Sequence, residues 1–226
     1  MKTYLSYPLN PADLAWPGEP NLVIRQCTEI GVNDKLFNSF QLTLPNHAGT
    51  HYDAPNHFNA NGPKISELPV DYFWFENIYV IDAPKKAKEG ITKEDLSPHE
   101  DEIKQADLLL IKTGFAQVRR DHPKTYQMEG PFLYPEACRY MVDTFDNLKC
   151  VGFDFLSVGS PCNNLAAESH QVLFGCHTEN FITAIEDMNL MPLYETQKKL
   201  KRVVAAPLRA LGLDSGQVSV IGEFED

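Results

Sequence analysis

Several signals that would mark a membrane or exported protein are missing from this chain of 226 residues. It has no run of ~20 consecutive apolar residues, the length that a membrane-spanning helix needs. Its first residues show no apolar core followed by a cleavage site, which is the pattern of a signal peptide. The sequence therefore predicts a cytoplasmic protein without a membrane partner.

The glycine-rich loops of nucleotide enzymes are also absent. Neither G-x-x-x-x-G-K-[ST] nor G-x-G-x-x-G occurs, which disfavours a nucleotide-binding enzyme. No G-x-S-x-G occurs either, so a serine hydrolase with a nucleophile elbow is disfavoured.

Positive charge and cysteine are both scarce. Lysine and arginine total 20 against 31 acidic residues, giving a net charge of -11, which argues against nucleic-acid binding. The basic cluster at residues 198–202 is predicted to be a solvated helix end. The five cysteines form no C-x-x-C pair, so we expect reduced thiols. Cys162 and Cys176 bracket His170, which leaves a cysteine–histidine nucleophile as a minor alternative.

Short strand-like runs dominate the chain, and 43% of its residues are hydrophobic, enough for one domain over residues 1–226. Apolar or alternating runs predict strands at residues 22–25, 40–44, 78–82, 108–112, 151–155, 181–185 and 217–221. Helices are predicted after Thr92, from Pro135, and over residues 168–174. The charged segment 115–130 is predicted to be a surface segment that leaves the main fold. These patterns predict an α/β fold, a mixed sheet core with few helices.

The most informative segment is residues 47–57, which read H-x-G-T-H-x-D-x-P-x-H and hold three of the chain's seven histidines. Gly49 and Pro55 make a helix unfavourable here. In an extended chain His51 and Asp53 point the same way, and a bend at Gly49 would bring His47 to the same point. Two imidazoles and one carboxylate suit a catalytic metal with open positions.

The segment leaves one histidine without an assigned role and also allows an interpretation without a metal. His57 is not needed as a ligand and is the candidate catalytic base. The alternative is a loop whose histidines make only ordinary hydrogen bonds.

The motif resembles the signature of the metal-dependent cyclase family, which includes bacterial kynurenine formamidases (arylformamidases) and isatin hydrolases. Weaker elements of the family follow in order along the chain. They are W-P-G-[DE] at residues 16–19, [RK]-T-G at 112–114, G-x-D-x-x-S at 152–157, S-H at 169–170 and P-L-[RK] at 207–209.

The resemblance implies a swivelling β/β/α fold and a homo-oligomer, either a dimer or a tetramer. It implies that His170 and a later glutamate complete a second metal position. Glu186 ends a strand-like run as the family's glutamate does, and Glu179 is the alternative. Trp16 would line the pocket against a planar aromatic substrate.

The resulting hypothesis is a hydrolase with one or two divalent cations per chain, Zn²⁺ in first place and Mn²⁺ as the alternative. The cation would lower the pKa of water toward 7 for attack on an amide or formamide carbonyl, N-formylkynurenine being the model substrate. His57 would take and return the proton. A cyclic amide such as isatin, or a lactone, is an alternative substrate. A metal- or ligand-binding homologue without turnover is the alternative of another class.

Overall fold

A computed structural model describes residues 1–225. Its strands are β1 (Lys2–Tyr4), β2 (Val23–Thr28), β3 (Ser39–Thr43), β4 (His51–Asp53), β5 (Trp74–Phe75), β6 (Ile78–Asp82), β7 (Gly90–Ile91), β8 (Leu108–Lys112), β9 (Phe132–Leu133), β10 (Cys150–Phe153), β11 (Thr183–Glu186), β12 (Leu200–Pro207) and β13 (Ser215–Phe224). Its α-helices are α1 (Lys93–Leu96), α2 (Glu100–Ile103), α3 (Ala116–Asp121), α4 (Pro123–Glu129), α5 (Pro135–Thr144) and α6 (Ala166–Leu173).

Within residues 1–225, nine strands form one mixed sheet in the order β5-β12-β13-β4-β11-β10-β8-β6, with β1 beside β13. One half is parallel and contains β6, β8, β10 and β11. The other half is antiparallel and contains β13, β12, β5 and β1. The three-residue β4 pairs antiparallel with β11 on one side and with β13 on the other. This short strand therefore lies where the two halves meet.

The inner strands of the parallel half, β8, β10 and β11, are buried on both faces, which explains their apolar runs. In β8, Leu109 and Ile111 face a core that α5 covers. Leu108 and Leu110 face the second core, formed with the antiparallel strands. Successive strand residues point to opposite faces, so both cores draw on the same five-residue strand.

The predicted helices carry the expected terminal signals. Pro135 occupies the first turn of α5, where its missing N–H leaves no hydrogen bond unmade. The Asp95 side chain accepts a hydrogen bond from the Thr92 backbone N–H at 2.8 Å, completing a capping box at α1.

A hairpin of β2 and β3 stands apart from the main sheet, since its two strands pair only with each other among the described residues. Ile24 lies opposite Leu42, with Phe40 on the same face, and all three are exposed. The hairpin thus presents apolar side chains that the rest of the chain does not cover.

Most of the predicted elements are confirmed, and two predictions are wrong. Residues 115–130 form α3 and α4 and are not a surface segment that leaves the main fold, because Tyr126 is buried and Arg119 is paired with buried Asp187. Residues 198–202 are not a helix end, because Leu200 begins β12 and is buried against the second core. None of the helices in residues 1–225 has the length and apolar character needed to cross a membrane.

Candidate functional site

Strand β4 places His51 and Asp53 on one side of the chain, as the period of an extended strand predicts. The His51 Nε2 atom lies 3.3 Å from Asp53 Oδ1. Gly49 has a φ of +66°, a left-handed conformation that glycine adopts without strain. The bend returns the chain so that His47 Nδ1 lies 3.1 Å from the same oxygen. The predicted convergence of these three side chains is therefore seen in the structure.

Sheet pairing brings Glu186 to the same point. Glu186 at the end of β11 lies directly opposite His51 in the antiparallel register. Its Oε2 is 3.2 Å from His51 Nε2, while its Oε1 accepts hydrogen bonds from Ser157 Oγ and the Val158 N–H. Glu179, the alternative, is exposed in the loop after α6. Of the two carboxylates, the structure places only Glu186 at the cluster.

Helix α6 delivers His170 from the other side of the cluster. The His170 Nε2 atom is 3.6 Å from Glu186 Oε1, and its ring stacks on Phe58 with 4.4 Å between centroids. Gly159 lets the helix approach this closely, since a Cβ there would lie 2.3 Å from the Cβ of Ala166. The helix begins two residues earlier than predicted, and its close docking sets the position of His170.

The orientation of the imidazoles follows from their outer hydrogen bonds. His51 Nδ1 lies 2.8 Å from the Gly49 carbonyl oxygen, and His170 Nδ1 lies 2.6 Å from the Ala166 carbonyl oxygen. A carbonyl only accepts, so these Nδ1 atoms donate, and a neutral ring then turns its Nε2 lone pair toward the carboxylates. Histidines that bind metals are oriented in this way.

The buried polar atoms at the centre are not satisfied by the protein. His51 Nε2 and both carboxylate oxygens of Asp53 have no aligned hydrogen-bond partner within residues 1–225, although charged groups approach within 3.3 Å. Leaving such atoms buried and unpaired is unfavourable. Two overlapping sets could hold a cation, His47, Asp53 and His57 in one and His51, Asp53 and Glu186 in the other. The donor set fits a divalent cation.

The carboxylates also control the protonation of their neighbours. Burial lowers the pKa of His47, but the charge of Asp53, the hydrogen bond to Asp214 and the close approach of Asp53 outweigh it and raise the pKa to about 9. Burial likewise opposes protonation of His51, whose pKa the Asp53 and Glu186 carboxylates hold well above its ordinary value. Burial and the Asp53 charge raise the pKa of Glu186, yet the close approach of His170 and His51 outweighs them and lowers it to about 2. Without a cation, protons on His47 and His51 therefore balance the carboxylates.

His57 occupies a 3₁₀ turn at residues 55–57, beside the ring of His47 with 3.9 Å between centroids. Its Nδ1 is 2.8 Å from Asp214 Oδ2. Its other nitrogen, Nε2, makes no hydrogen bond to a residue in the described part of the chain. His57 also lines the adjacent cavity.

That cavity, of about 300 Å³, lies directly against the cluster. Trp16, Phe58 and Leu156 supply apolar walls, and Glu19 lies at its edge. Trp16 also packs against the small hydrophobic cluster that contains Leu156. The arrangement gives a planar apolar group room beside the histidines and carboxylates.

A larger cavity of about 440 Å³ lies elsewhere, between the N-terminal segment and α3–α4. Its partly buried cation, Arg119, is balanced by ion pairs to Asp13 and Asp187. Cys176, from the cysteine–histidine alternative, does not join the cluster, because its thiol donates to the Phe58 carbonyl at 3.3 Å.

Two acidic residues near the centre were missed by sequence reasoning. Asp214 bonds to both His47 and His57, and Asp187, with a φ of +52° directly after Glu186, is held by Arg119 and Tyr126. The only sequence signal for Asp214 was its position shortly after the P-L-[RK] element. Neither residue lies in a motif with the histidines.

Comparisons with known proteins identify the family and the relatives of this chain. The model of the Cyclase family matches residues 3–160. An uncharacterized protein of Haemophilus influenzae is 40% identical over 144 residues, covering 64% of this chain and 97% of that protein. A kynurenine formamidase of Delftia acidovorans is 25% identical over 217 residues, covering 96% of this chain and 94% of the enzyme. A second one, from Geobacillus thermodenitrificans, is 29% identical over 167 residues and covers 71% of each chain.

Solved structures share the fold. Isatin hydrolase A from Labrenzia aggregata, solved with benzyl benzoate, superposes with a TM-score of 0.80 at 18% identity, covering 98% of this chain and 93% of that one. A predicted metal-dependent hydrolase from Bacillus stearothermophilus gives 0.72 at 23% identity, covering 98% and 97%. The expected α/β class with the swivelling β/β/α arrangement is confirmed.

Proposed function

Because the chain belongs to the Cyclase family, whose named relatives here are hydrolases, we propose that it is a metal-dependent hydrolase cleaving the amide or formamide bond of a small aromatic substrate. The observation that carries this proposal is the buried, unpartnered set of His51 Nε2 and the Asp53 oxygens beside a cavity lined by Trp16 and His57.

For the cation we propose Zn²⁺, with Mn²⁺ as the alternative, since imidazole and carboxylate ligands serve both ions. His47, His51 and Asp53 would hold one ion, and His170 with Glu186 would complete a second position. When bound, a divalent cation lowers the pKa of a coordinated water toward 7 and polarises a carbonyl group.

We assign the proton transfers of this reaction to His57. Its Nδ1 is held by Asp214, which leaves Nε2 for the reacting groups. Nε2 takes a proton from the attacking water and returns it to the leaving nitrogen, a role for which imidazole is suited at neutral pH. Trp16 and Phe58 bind the aromatic ring and exclude bulk water from the bond that breaks.

An open-chain formamide of N-formylkynurenine type is our first substrate, because two curated relatives are kynurenine formamidases. Cyclic amides such as isatin, and lactones, are the alternatives within the same chemistry. They present the same polarised carbonyl beside an aromatic ring and would need the same base.

The test starts with elemental analysis of protein purified without chelators or metal-binding tags. We expect one or two equivalents of Zn or Mn per chain, and hydrolysis of N-formylkynurenine that a chelator abolishes and the same metal restores. Isatin and an aromatic lactone are assayed in parallel. Turnover of isatin or of the lactone, without turnover of N-formylkynurenine, would reassign the substrate. Metal binding without any turnover would establish the binding homologue, and failure to bind Zn²⁺ or Mn²⁺ would exclude the hydrolase.

A further inference from the structure

We propose that Asp214 is a positioning residue. Through a single carboxylate oxygen it determines which nitrogen of His47 faces the metal and which nitrogen of His57 is free to react. The inference rests on the proposed function for the roles of those two histidines. Asp214 Oδ2 lies 3.0 Å from His47 Nε2 and 2.8 Å from His57 Nδ1.

The shared oxygen selects the tautomer of each ring. An ionised carboxylate only accepts hydrogen bonds, so the two nitrogens that face it must both carry hydrogen. In neutral His57 the lone pair is then on Nε2, the nitrogen that can accept a proton. In neutral His47 the lone pair is on Nδ1, which lies 3.1 Å from Asp53 Oδ1 and faces the cation position. One carboxylate thus prepares a ligand and a base, whose rings are 3.9 Å apart.

Both carboxylate oxygens of Asp214 are held by the protein. Its Oδ1 accepts a hydrogen bond of 2.7 Å from Asn46 Nδ2, while Oδ2 faces the two histidines. Its carbonyl oxygen accepts from the Ala54 N–H at 2.9 Å, and the next residue, Ser215, lies opposite Asp53 in the β4–β13 register. The carboxylate is therefore tied to the strand that carries the site, and its contacts hold both rings in one geometry.

The decisive variant is Asp214→Asn, which keeps the size of the side chain but offers an NH₂ group that can donate to a ring nitrogen and favour the wrong tautomer. We expect kcat for the substrate identified above to fall by about 10²-fold or more with little change in KM. Metal affinity, measured by chelator competition on the metal-free protein, should fall by roughly 10- to 100-fold, as for other residues that orient ligands.

A matched control is Asp13→Asn, the same change at a side chain that is 27% exposed, against 28% for Asp214, and that pairs with Arg119 outside the site. Its kcat and metal affinity should equal those of the wild type. A double variant separates the two effects of Asp214. Adding Asp214→Asn to His57→Ala should reduce kcat no further, yet should still weaken metal binding.

Direct evidence comes from ¹⁵N NMR of the histidine rings in the metal-loaded wild type. We expect the hydrogen of neutral His57 on Nδ1, with the resonance assigned by its loss in His57→Ala. This measurement needs only the wild type and His57→Ala, so it remains informative even if Asp214→Asn does not fold. A hydrogen on Nε2 would overturn the inference, as would an Asp214→Asn protein with wild-type kcat and metal affinity. If the wild type hydrolyses none of the substrates, the proposed function fails, while metal affinity and the ring tautomers still decide the role of Asp214.

Discussion

Three histidines within eleven residues of sequence acquire different environments because their outer ring nitrogens meet different acceptors. His51 is anchored by the Gly49 carbonyl two residues away, whereas His57 is anchored by Asp214, 157 residues further along the chain. Local spacing could therefore predict that His47, His51 and Asp53 meet, because a strand and one glycine bend are enough. It could not predict Asp214, since only the pairing of β13 with β4 brings that side chain to the site. The metal and base roles remain predictions.

Replacing His57 should separate metal binding from turnover. His57→Ala removes the proposed base and keeps the other side chains of the cluster, so kcat should fall by about 10²-fold or more while the metal content stays at the wild-type value. Steady-state kinetics and elemental analysis on the same preparation measure both quantities. His99→Ala is the control, because His99 bonds to Tyr79 away from the site and its loss should leave kcat unchanged. Full activity of His57→Ala would assign the base elsewhere.

At the scale of elements, the strands and the longer helices could be predicted because their apolar periods and caps are local. The predictions for residues 115–130 and 198–202 were wrong for one reason: charged residues were interpreted as solvated. In α3, Arg119 reaches two buried or half-buried carboxylates, and in β12 the basic residues flank a buried apolar position at Leu200. Charge composition alone does not reveal a tertiary partner.

The close packing of α6 against Gly159 predicts how the helix responds to a larger residue there. Gly159→Ala would place a methyl group 2.3 Å from the Cβ of Ala166, so the helix must shift and carry His170 with it. We expect lower stability, by about 1–3 kcal/mol as for other overpacked sites, together with weaker binding of the second cation. Thermal unfolding and metal titration measure the two effects.

Two variants show whether helix position is the cause. Gly159→Ala combined with Ala166→Gly removes the methyl that clashes, and should recover part of the lost metal affinity. Thr92→Ala, which removes the cap of α1, should cost about 1 kcal/mol of stability and leave metal affinity unchanged. If Gly159→Ala and Thr92→Ala had the same effect on metal binding, the helix would not set the position of His170.

At the scale of the whole molecule, the charges of the cluster link metal, pH and stability. In the metal-free protein the pKa values of His47 and His51 lie above the ordinary 6.5, that of His47 at about 9. Their protonation therefore stabilises the metal-free fold fully below pH 6.5, and this contribution is lost as the pH rises through about 9. A cation requires neutral rings, so its affinity increases over the same range.

The difference in Tm between metal-loaded and chelated protein should consequently grow between pH 6.5 and 9. Differential scanning calorimetry at constant ionic strength and free metal measures it. A difference that is constant or shrinks with pH would mean that these two rings do not bind the cation.

The hairpin leads us to predict self-association, in line with the dimer or tetramer that the family resemblance implies. A two-stranded hairpin is marginally stable alone, and this one exposes Ile24, Phe40 and Leu42 on one face. Residues 22–44 carry two basic and two acidic side chains, so two copies of a chain with net charge -11 would meet here with little repulsion. Light scattering should give a mass of at least two chains.

Lysines on the apolar face of the hairpin should dissociate that assembly. Phe40→Lys with Leu42→Lys is expected to give monomers at micromolar concentration, whereas Thr43→Lys, on the opposite face, should not. A wild type that is monomeric throughout the concentration range would exclude the self-association.

The position of β4 between β11 and β13 also has a consequence for biosynthesis. The first histidines of the cluster leave the ribosome long before Glu186 and Asp214, and at typical translation rates the interval of 157 residues between His57 and Asp214 takes roughly 8–30 s. Until β11 is made, β4 has neither neighbouring strand, and it lacks β13 for the whole of that interval. We accordingly expect metal loading to follow closure of the sheet, so that the supply of metal would act on the finished fold.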